Sequence, residues 1–239
     1  MPIDRFYTPE DLIPGQHVNL IDNEFHHLIH VTRAKERDQI DLINGKGFLA
    51  IATVHKIAKH QACLEIISVE FQECSPTEII LAQAIPRANR LDYILEKGTE
   101  LGVSQIWLFP AEHGERKQFT EHQLERMNAI LVSSTKQCGR LYLPKIVLKP
   151  LIEKWGAFTL PSFFGDLSKN APLFAKVFEP SQSKQGAIFC IGPESGFTEK
   201  EEGKLRECGA AGVRLHPNIL RTDTAAIMAL SLLSHSLLA

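Results

Sequence analysis

The chain has 239 residues, of which 44% are hydrophobic, 8% aromatic and 23% charged, and its formal net charge is -2. This composition is typical of a globular protein and excludes a fibrous, mucin-like or disordered chain. At this length one sizeable core and a small second domain can form without disulfides. No apolar run reaches the ~18 residues of a membrane helix, and the start MPIDRFYTPED is charged where a signal peptide is apolar. We therefore expect a cytoplasmic protein that does not enter a membrane.

Neither the cysteines nor the histidines form a pattern typical of a disulfide framework or a metal site. The cysteines are never spaced as Cys-x-x-Cys, so we expect small buried apolar residues at Cys63, Cys74, Cys138, Cys190 and Cys208. His26, His27 and His30 lie close together, but no Cys, Asp or Glu is spaced with them as in a zinc site. We expect no bound metal.

Positive charge is concentrated in one segment of the chain. Between Glu125 and Glu153 there is no acidic residue, and the basic residues there are Arg126, Lys136, Arg140, Lys145 and Lys149. Such a basic stripe can follow a phosphate backbone. A solvated helix face with its strand and loop fits the same charges, so both interpretations stay open.

The first 74 residues have the alternating pattern of β-strands. A short helix over Glu24–Thr32 interrupts this pattern, and Asn44–Gly47 has the residues of a hairpin turn. We predict a small β-barrel with one helix, followed by a linker at residues 73–77. Its strands are predicted at His17–Ile21, Gln39–Ile43, Phe48–Ile57 and Cys63–Phe71.

From residue 75 onward, apolar strand-like runs alternate with helical stripes, which predicts a parallel sheet flanked by helices. Such sheets bind ligands where loops leave the carboxyl ends of the strands. Thr198–Glu201 has the pattern of a capping box, and Ala225–Leu238 is so apolar that the sheet or a second subunit must cover it. The strands are predicted at Ile79–Ile85, Gln105–Phe109, Lys145–Leu148, Phe163–Phe164, Ala187–Ile191 and Val213–Leu215.

The loop Ile191–Thr198 lies between a predicted strand and the capped helix. Its glycines let a ligand approach the backbone closely, and the helix N-terminus offers free N–H groups. The loop is neither a Walker A loop nor a dinucleotide fingerprint. Ser195 is one residue out of place for a nucleophile elbow. A ligand-binding loop is the favoured interpretation, and a plain tight turn is the alternative.

The loop Leu215–Ala226 joins the last predicted strand to the last helix. Thr222 or Thr224 can cap that helix, so Arg221 lies beside a helix N-terminus. The helix dipole disfavours a positive charge at this end. The position therefore favours a role for Arg221 in holding an anionic or carbonyl-bearing ligand.

The two loops read Ile-Gly-Pro-Glu-Ser-Gly-Phe-Thr and Leu-x-Pro-x-Ile-Leu-Arg-Thr-Asp-Thr-Ala. In both, the sequence resembles the ribosomal RNA small-subunit methyltransferase E family, whose members methylate N3 of a uridine in 16S ribosomal RNA. The resemblance covers essentially the whole chain. Its further matching elements are Arg5-Phe6, Arg90, Glu96–Val103, Glu115-Arg116 and Gln137–Arg140.

This resemblance implies an α/β fold with two domains. Residues 1–74 would form a PUA-like β-barrel that binds RNA. Residues 75–239 would form a SPOUT methyltransferase domain, whose parallel sheet is tied into a trefoil knot, and the protein would act as a homodimer. S-adenosylmethionine would bind in the knot. The cofactor-binding residues implied are Ile191, Gly192, Pro193, Gly196, Leu215, Asn218, Ile219, Leu220, Thr222, Thr224 and Ala225.

The resemblance also implies roles on the substrate side. Arg221 would hold the uridine oxygens or a neighbouring phosphate, and Glu194 and Asp223 are both candidates for the proton acceptor or for contacts to the ribose or amino group. The partner would be 16S ribosomal RNA, within the small ribosomal subunit. The residues expected to bind RNA phosphates are Arg5, Arg33, Arg87, Arg90, Arg116 and Arg140.

The chain departs from the usual residues of the family at several positions. Lys136 reverses the charge of a usual glutamate, Ser195 stands in place of a glycine, and Asp223 stands in place of a glutamate; His216 and Asn218 also differ. Two alternatives stay open, of which only the second rests on these departures. One is a SPOUT methyltransferase that acts on transfer RNA or on a ribose 2′-hydroxyl, and the other is an RNA-binding assembly factor without transfer activity.

Overall fold

The computed structural model describes residues 5–114 and 118–238. The chain divides into two compact units: the first takes in Met1–Cys74 and Val132–Leu143, and the second takes in Ser75–Leu131 and Pro144–Ala239. The division at residue 74 coincides with the boundary chosen from the sequence. Residues 132–143, which the sequence analysis assigned to the second domain, lie in the first unit.

Backbone and side-chain hydrogen bonds explain why residues 132–143 belong to the first unit. The Gly47 amide donates to the Leu141 carbonyl at 2.9 Å, and the Tyr142 hydroxyl donates to the Gln72 carbonyl at 2.7 Å. Gly47 has a φ of 94°, and a Cβ there would collide with the Tyr142 ring. These contacts join segments that are far apart in the sequence, so no local pattern could indicate them.

The first unit is built on a five-stranded sheet in the order β1-β3-β4-β5-β2. β1 pairs in parallel with β3, and the other neighbours are antiparallel. No ladder between described residues joins the edge strands β1 and β2, so the predicted barrel is an open half-barrel. Its strands are β1 (Arg5–Tyr7), β2 (His17–Ile21), β3 (Gln39–Ile43), β4 (Phe48–Ile57) and β5 (Gln61–Phe71).

Alternation of apolar and polar residues gives this sheet one buried and one solvated face. Val18, Leu42 and Leu64 are at most 1% exposed, and they pack with Leu28 in one core. Leu28 lies in a wider π-helical turn, His27–Val31, that continues the short helix α1 (Asp22–His26). The predicted helix over Glu24–Thr32 thus corresponds to two short consecutive helical segments.

The second unit contains the predicted parallel sheet. Its six strands run in the order β11-β9-β10-β6-β7-β8, and every neighbouring pair is parallel. β10 has all its residues buried, as expected of a strand that is covered on both faces. The strands are β6 (Glu78–Ala84), β7 (Gln105–Phe109), β8 (Lys145–Leu148), β9 (Ser162–Gly165), β10 (Gly186–Ile191) and β11 (Ala210–Val213).

Helices connect these strands. The Thr198 hydroxyl accepts from the Glu201 amide at 3.2 Å and Glu201 Oε2 accepts from the Thr198 amide at 2.9 Å, which confirms the predicted capping box. Among the described helices, none is long and apolar enough to cross a membrane. The remaining helices are α2 (Ala88–Glu100), α3 (Glu121–Cys138), α4 (Phe174–Val177), α5 (Glu199–Glu207) and α6 (Thr222–Leu237).

The apolar helix α6 is covered on one side only within its own unit. It packs against α2 and against strands β6 and β10. Ala226, Leu230 and Leu233 are fully buried, whereas Leu238, which follows the helix, is 42% exposed. The cysteine expectation is confirmed for Cys190 and Cys208, which are buried, but it is wrong for Cys74, which is exposed; Cys63 and Cys138 are half-buried.

Candidate functional site

A cleft of about 580 Å³ opens at the carboxyl ends of β9, β10 and β11. Its walls are the segment after β9, the loop after β10 and the loop between β11 and α6. The volume is within the range of about 300–1,000 Å³ that is usual for sites of small molecules and cofactors. The cleft therefore lies where a parallel sheet is expected to bind its ligand.

The loop after β10 contains a tight turn with two glycines. The Gly196 amide donates to the Pro193 carbonyl at 2.9 Å. Gly196 has a φ of 81°, and a Cβ there would lie 3.3 Å from Leu167, another residue of the cleft wall. A Cβ on Gly192 would lie 3.2 Å from the Phe197 ring. Neither glycine carries a side chain that would keep a ligand away from the backbone of the loop.

A buried hydrogen-bond network joins the two loops. The Thr222 hydroxyl donates to the Gly192 carbonyl at 3.0 Å and accepts from Gln83 Nε2 at 2.9 Å. Gln83 Nε2 also donates to the Ala84 carbonyl at 2.9 Å, and the Gln83 side chain is fully buried at the end of β6. Thr222 is the first residue of α6, so the network fixes the start of that helix against the loop after β10.

The loop before α6 presents both apolar and cationic side chains. Ile219, on the cleft wall, is 81% exposed, which is unusual for so large an apolar side chain. His216 Nδ1 accepts from the Asn218 amide at 3.0 Å and so shapes the loop. Arg221 is exposed, and its side chain makes no hydrogen bond or ion pair with any described residue. The Arg221 guanidinium is therefore available to a ligand in the cleft.

Two further residues of the cleft wall, Arg90 and Glu194, form an ion pair in which Nη1 and Oε1 are 3.1 Å apart. Arg90 comes from α2 and Glu194 from the loop after β10, and both line the cleft. The pair is partly exposed, with 25% and 40% of the two side chains accessible. It holds the Glu194 carboxylate beside the cleft.

An ionised carboxylate lies at the base of the cleft. Asp166 accepts from the Ser168 amide and from Arg206, each at 2.8 Å. Burial by itself would raise the pKa of Asp166, but these two donors outweigh it and hold the pKa below its ordinary value. Gly212 makes room for the pair, because a Cβ there would lie 2.6 Å from Asp166 Oδ2.

A second, smaller pocket of about 240 Å³ adjoins the cleft. The two cavities share Pro193 and Glu194, and the smaller one is also lined by Arg87, His113 and Ser195. Glu194 is therefore accessible from both sides. The arrangement offers one large compartment and one small polar compartment with a carboxylate between them.

Comparison with known proteins identifies the family. The RNA methyltransferase domain matches residues 73–234, and the RNA methyltransferase PUA domain matches residues 20–67. A ribosomal RNA small subunit methyltransferase E from Helicobacter pylori is 30% identical over 212 residues, which cover 86% of this chain and 89% of that protein. The chain belongs to the ribosomal RNA small subunit methyltransferase E family. The Bacillus subtilis member is 27% identical over 239 residues, covering 95% of this chain and 93% of that protein.

Solved structures of the methyltransferase family confirm the fold over the whole chain. The Neisseria gonorrhoeae methyltransferase E, bound to S-adenosyl methionine, is 31% identical with a TM-score of 0.84, and the alignment covers 98% of both chains. A Legionella pneumophila protein in complex with the same cofactor is 27% identical with a TM-score of 0.87, covering 99% of this chain and 98% of that one. The predicted PUA-like and α/β methyltransferase domains are thus both present.

Most residues that the methyltransferase resemblance assigned to the cofactor do lie together. Thr224 is exposed and does not line the cleft, and Asp223 is also absent from its wall. Asp223 Oδ1 accepts from the Thr224 amide at 3.0 Å, so both belong to the first turn of α6. The cofactor candidates that line the cleft are Ile191, Gly192, Pro193, Gly196, Leu215, Asn218, Ile219, Leu220, Thr222 and Ala225.

The arginines expected to bind RNA in this methyltransferase have different surroundings. Arg5 Nη1 donates to the Gly139 carbonyl at 2.7 Å, and its side chain is 18% exposed, so it braces the first unit. Arg33 is exposed, and Arg87 precedes α2 at the smaller pocket. Burial lowers the pKa of the half-buried Arg140. Arg116 lies outside the described residues.

Two residues of the basic stripe form ion pairs, and a third lies over an aromatic ring. Arg126 forms an ion pair with Asp92 at 2.5 Å, and Lys149 lies 4.3 Å from the centre of the Trp107 ring. Lys136 pairs with Glu24 at 2.6 Å, with side chains only 13% and 18% exposed. The charge reversal at Lys136 therefore has an acidic partner within the first unit.

Gln83, Asp166 and Phe197 are site residues that the sequence analysis missed. Gln83 is the one polar side chain in the apolar run Ile79–Ile85, and that exception was a usable signal. Asp166 comes shortly after the predicted two-residue strand Phe163–Phe164, which gave no sign of a functional residue. Its contact with Arg206 joins distant parts of the chain and depends on the fold. Phe197 was visible in the loop sequence, but its contact with Gly192 depends on the turn.

Proposed function

We propose that this protein is an S-adenosylmethionine-dependent methyltransferase that methylates N3 of a uridine in the 16S ribosomal RNA of the small subunit. The observation that carries the proposal is the glycine-walled cleft at the carboxyl ends of β9, β10 and β11, in a chain of this methyltransferase family. A function on ribosomal RNA also implies that the protein works in the cytoplasm.

The residues of the cleft fit S-adenosylmethionine. The cleft volume of about 580 Å³ is sufficient for a cofactor of this size. The apolar side chains of Leu215, Ile219 and Leu220 suit an adenine ring, and the loop around Gly192 and Gly196 offers backbone groups for the polar parts. When bound, this cofactor supplies an electrophilic methyl group on a sulfonium.

The smaller pocket is suited to the uridine base. Methylation at N3 requires that the base lose its N3 proton, so negative charge develops on the pyrimidine oxygens. Arg221 at the cleft rim and Arg87 at the smaller pocket carry the positive charge that would stabilise it. Glu194 lies between the two compartments and is the better placed proton acceptor, since Asp223 lines neither of them.

The proposal includes a homodimer and a trefoil knot, as in the family that the sequence resembles. Part of the apolar surface of α6 supports the dimer, because Ile227, Met228 and Leu232 remain half-buried within the single chain. Light scattering at micromolar concentration tests the dimer directly. A monomer there would contradict this part of the proposal.

The decisive experiment is nucleoside mass spectrometry of ribosomal RNA from cells that lack the protein. We expect 3-methyluridine to disappear from 16S ribosomal RNA and to return when the wild-type gene, but not an Arg221→Ala variant, is restored. Loss of a methyl from transfer RNA or from a ribose 2′-hydroxyl would overturn the N3 assignment. Binding of S-adenosylmethionine in calorimetry without methyl transfer to small subunits or to naked RNA would instead favour an assembly factor.

A further inference from the structure

Two histidines and a glutamate converge on the solvated face of the first sheet, in the unit that does not contain the cleft. His17, His55 and Glu65 each place one potential ligand atom within 4.8 Å of the others. The two histidines are exposed and Glu65 is half-buried. None of the three side chains makes a hydrogen bond or ion pair with another group among the described residues.

The sheet itself explains why these side chains face the same way. β5 lies between β4 and β2, and His17 on β2 stands directly opposite Glu65 on β5. Val18 and Leu64 next to them are buried, so His17 and Glu65 point away from the core. The three ligand candidates therefore form a row across three neighbouring strands.

A β-bulge brings His55 into this row. The pairing of β4 with β5 shifts between Val54 and Lys56, so His55 has no single partner on β5. Bulges of this kind change the direction of a side chain. Strands that flank a common neighbour are about 9.5 Å apart, yet the His17 and His55 ring centres are 5.1 Å apart with an interplanar angle of 78°. Both rings thus lean over the strand that carries Glu65.

We propose that His17, His55 and Glu65 bind one Zn²⁺-class transition-metal ion on this face. Two imidazole nitrogens and one carboxylate form a common zinc ligand set with a fourth position open to water. Mg²⁺ and Ca²⁺ prefer oxygen ligands and suit the site poorly. Ligand atoms around a tetrahedral Zn²⁺ are about 3.3 Å apart, and rotation of these accessible side chains can close that distance.

The bound ion would cross-link β2, β5 and β4 and thereby stabilise the first unit by mass action. The proposal is independent of the methyltransferase site, because the three ligands lie outside the second unit. The histidines that are near one another along the chain do not have the spacing of a zinc site, which is why the sequence alone predicts no metal. Here the ligands are on three strands, and only their pairing brings them together.

The test is calorimetric titration of ZnCl₂ into the full-length, tag-free protein after treatment with EDTA. The parent and all variants carry Cys63→Ser, Cys74→Ser and Cys138→Ser, which remove the three thiols that are not buried. His17→Gln or His55→Gln should weaken Zn²⁺ binding about 10-fold or more, and should abolish the rise in melting temperature caused by Zn²⁺. Glu65→Gln should weaken binding as well, and MgCl₂ should give no comparable binding.

The matched control is the double variant His26→Gln and His30→Gln. These exposed histidines have ring centres 4.5 Å apart and could chelate an ion as a pair, so the control must keep the parent affinity if the proposal is correct. The proposal is overturned if the His17 and His55 variants bind Zn²⁺ like the parent, if no binding is seen, or if the control loses the binding instead. Circular dichroism of each variant verifies that the fold is unchanged.

Discussion

Arg90 and Glu194 neutralise each other in the wall of the cleft, with Nη1 and Oε1 3.1 Å apart. The sequence assigned these residues to separate tasks, Arg90 to RNA binding and Glu194 to proton transfer. Because Arg90 belongs to helix α2, the ion pair fixes the orientation of the Glu194 carboxylate. Only Nη1 of Arg90 is engaged by Glu194, so the remaining N–H groups can still donate to an RNA phosphate.

Replacing Arg90 should therefore affect catalysis more than stability. In Arg90→Ala we expect methyl transfer to fall about 10²-fold, since Glu194 loses its orientation. The free energy of unfolding should change by less than about 1 kcal/mol, because the pair is partly exposed. Single-turnover kinetics and urea unfolding measure the two effects. A large loss of stability with normal transfer at saturating cofactor would give the pair a structural role.

The Thr222 hydroxyl should matter through the two loops that it joins. Thr222→Val keeps the shape but leaves Gln83 Nε2 and the Gly192 carbonyl without this partner, which we expect to cost about 1–3 kcal/mol of stability. Binding of S-adenosylmethionine should weaken in calorimetry. Thr224→Val is the matched control, because Thr224 is exposed and outside the cleft wall. Equal effects of the two variants would contradict the role of the network.

Gly196 should be intolerant of even one added methyl group. At its φ of 81°, Gly196→Ala introduces backbone strain of about 1 kcal/mol and brings a Cβ to 3.3 Å from Leu167. We expect the affinity for S-adenosylmethionine to fall about 10-fold or more. Gly203→Ala in α5 is the control: nothing lies within 4 Å of a Cβ there, so it should stabilise the helix slightly. Normal cofactor affinity in Gly196→Ala would show that the left-handed turn is dispensable.

The sequence predicted the elements of this fold far better than their long-range contacts. Periodicity located five of the six parallel strands, and the Thr198–Glu201 pattern predicted the start of α5, because both signals depend on neighbours in the chain. The last strand lies at Ala210–Val213, so its prediction at Val213–Leu215 was too far along the chain. The Arg90–Glu194 pair and the burial of Arg5 depend on packing between distant segments. The assignment of residues 132–143 to the first unit has the same origin, and no local pattern could reveal it.

Asp166 should give the stability a defined pH dependence. Its pKa is lowered in the folded state, so its contribution is present above the ordinary pKa of about 3.9 and is lost as pH falls through the folded value. Asp166→Asn should be less stable than wild type by a constant amount from pH 8 to about pH 5, and the difference should shrink below about pH 4. Thermal unfolding at each pH measures this. A difference that persists unchanged at pH 3 would mean that the Ser168 and Arg206 contacts do not depend on the charge.

Arg221 gives the sharpest prediction for the proposed reaction. Its side chain is exposed and unpaired among the described residues, and Glu194, which could have braced it, is engaged by Arg90. Arg221→Ala should therefore leave the melting temperature and the affinity for S-adenosylmethionine nearly unchanged. Methyl transfer should fall about 10²- to 10³-fold, because the role proposed for the guanidinium is to stabilise the charge that develops on the base.

The lysine variant separates shape from charge at the same position. Arg221→Lys should recover little of the transfer, since a compact ammonium cannot reproduce the planar, bidentate donor set of a guanidinium. Transfer by both variants is measured under single turnover at saturating S-adenosylmethionine, with calorimetry for the cofactor. A bracing role predicts the opposite pattern: a lower melting temperature, weaker cofactor binding, and transfer that recovers once the cofactor saturates. That pattern would show that Arg221 supports the loop and does not contact the RNA. The loss of an interaction with the substrate cannot be restored by adding more cofactor.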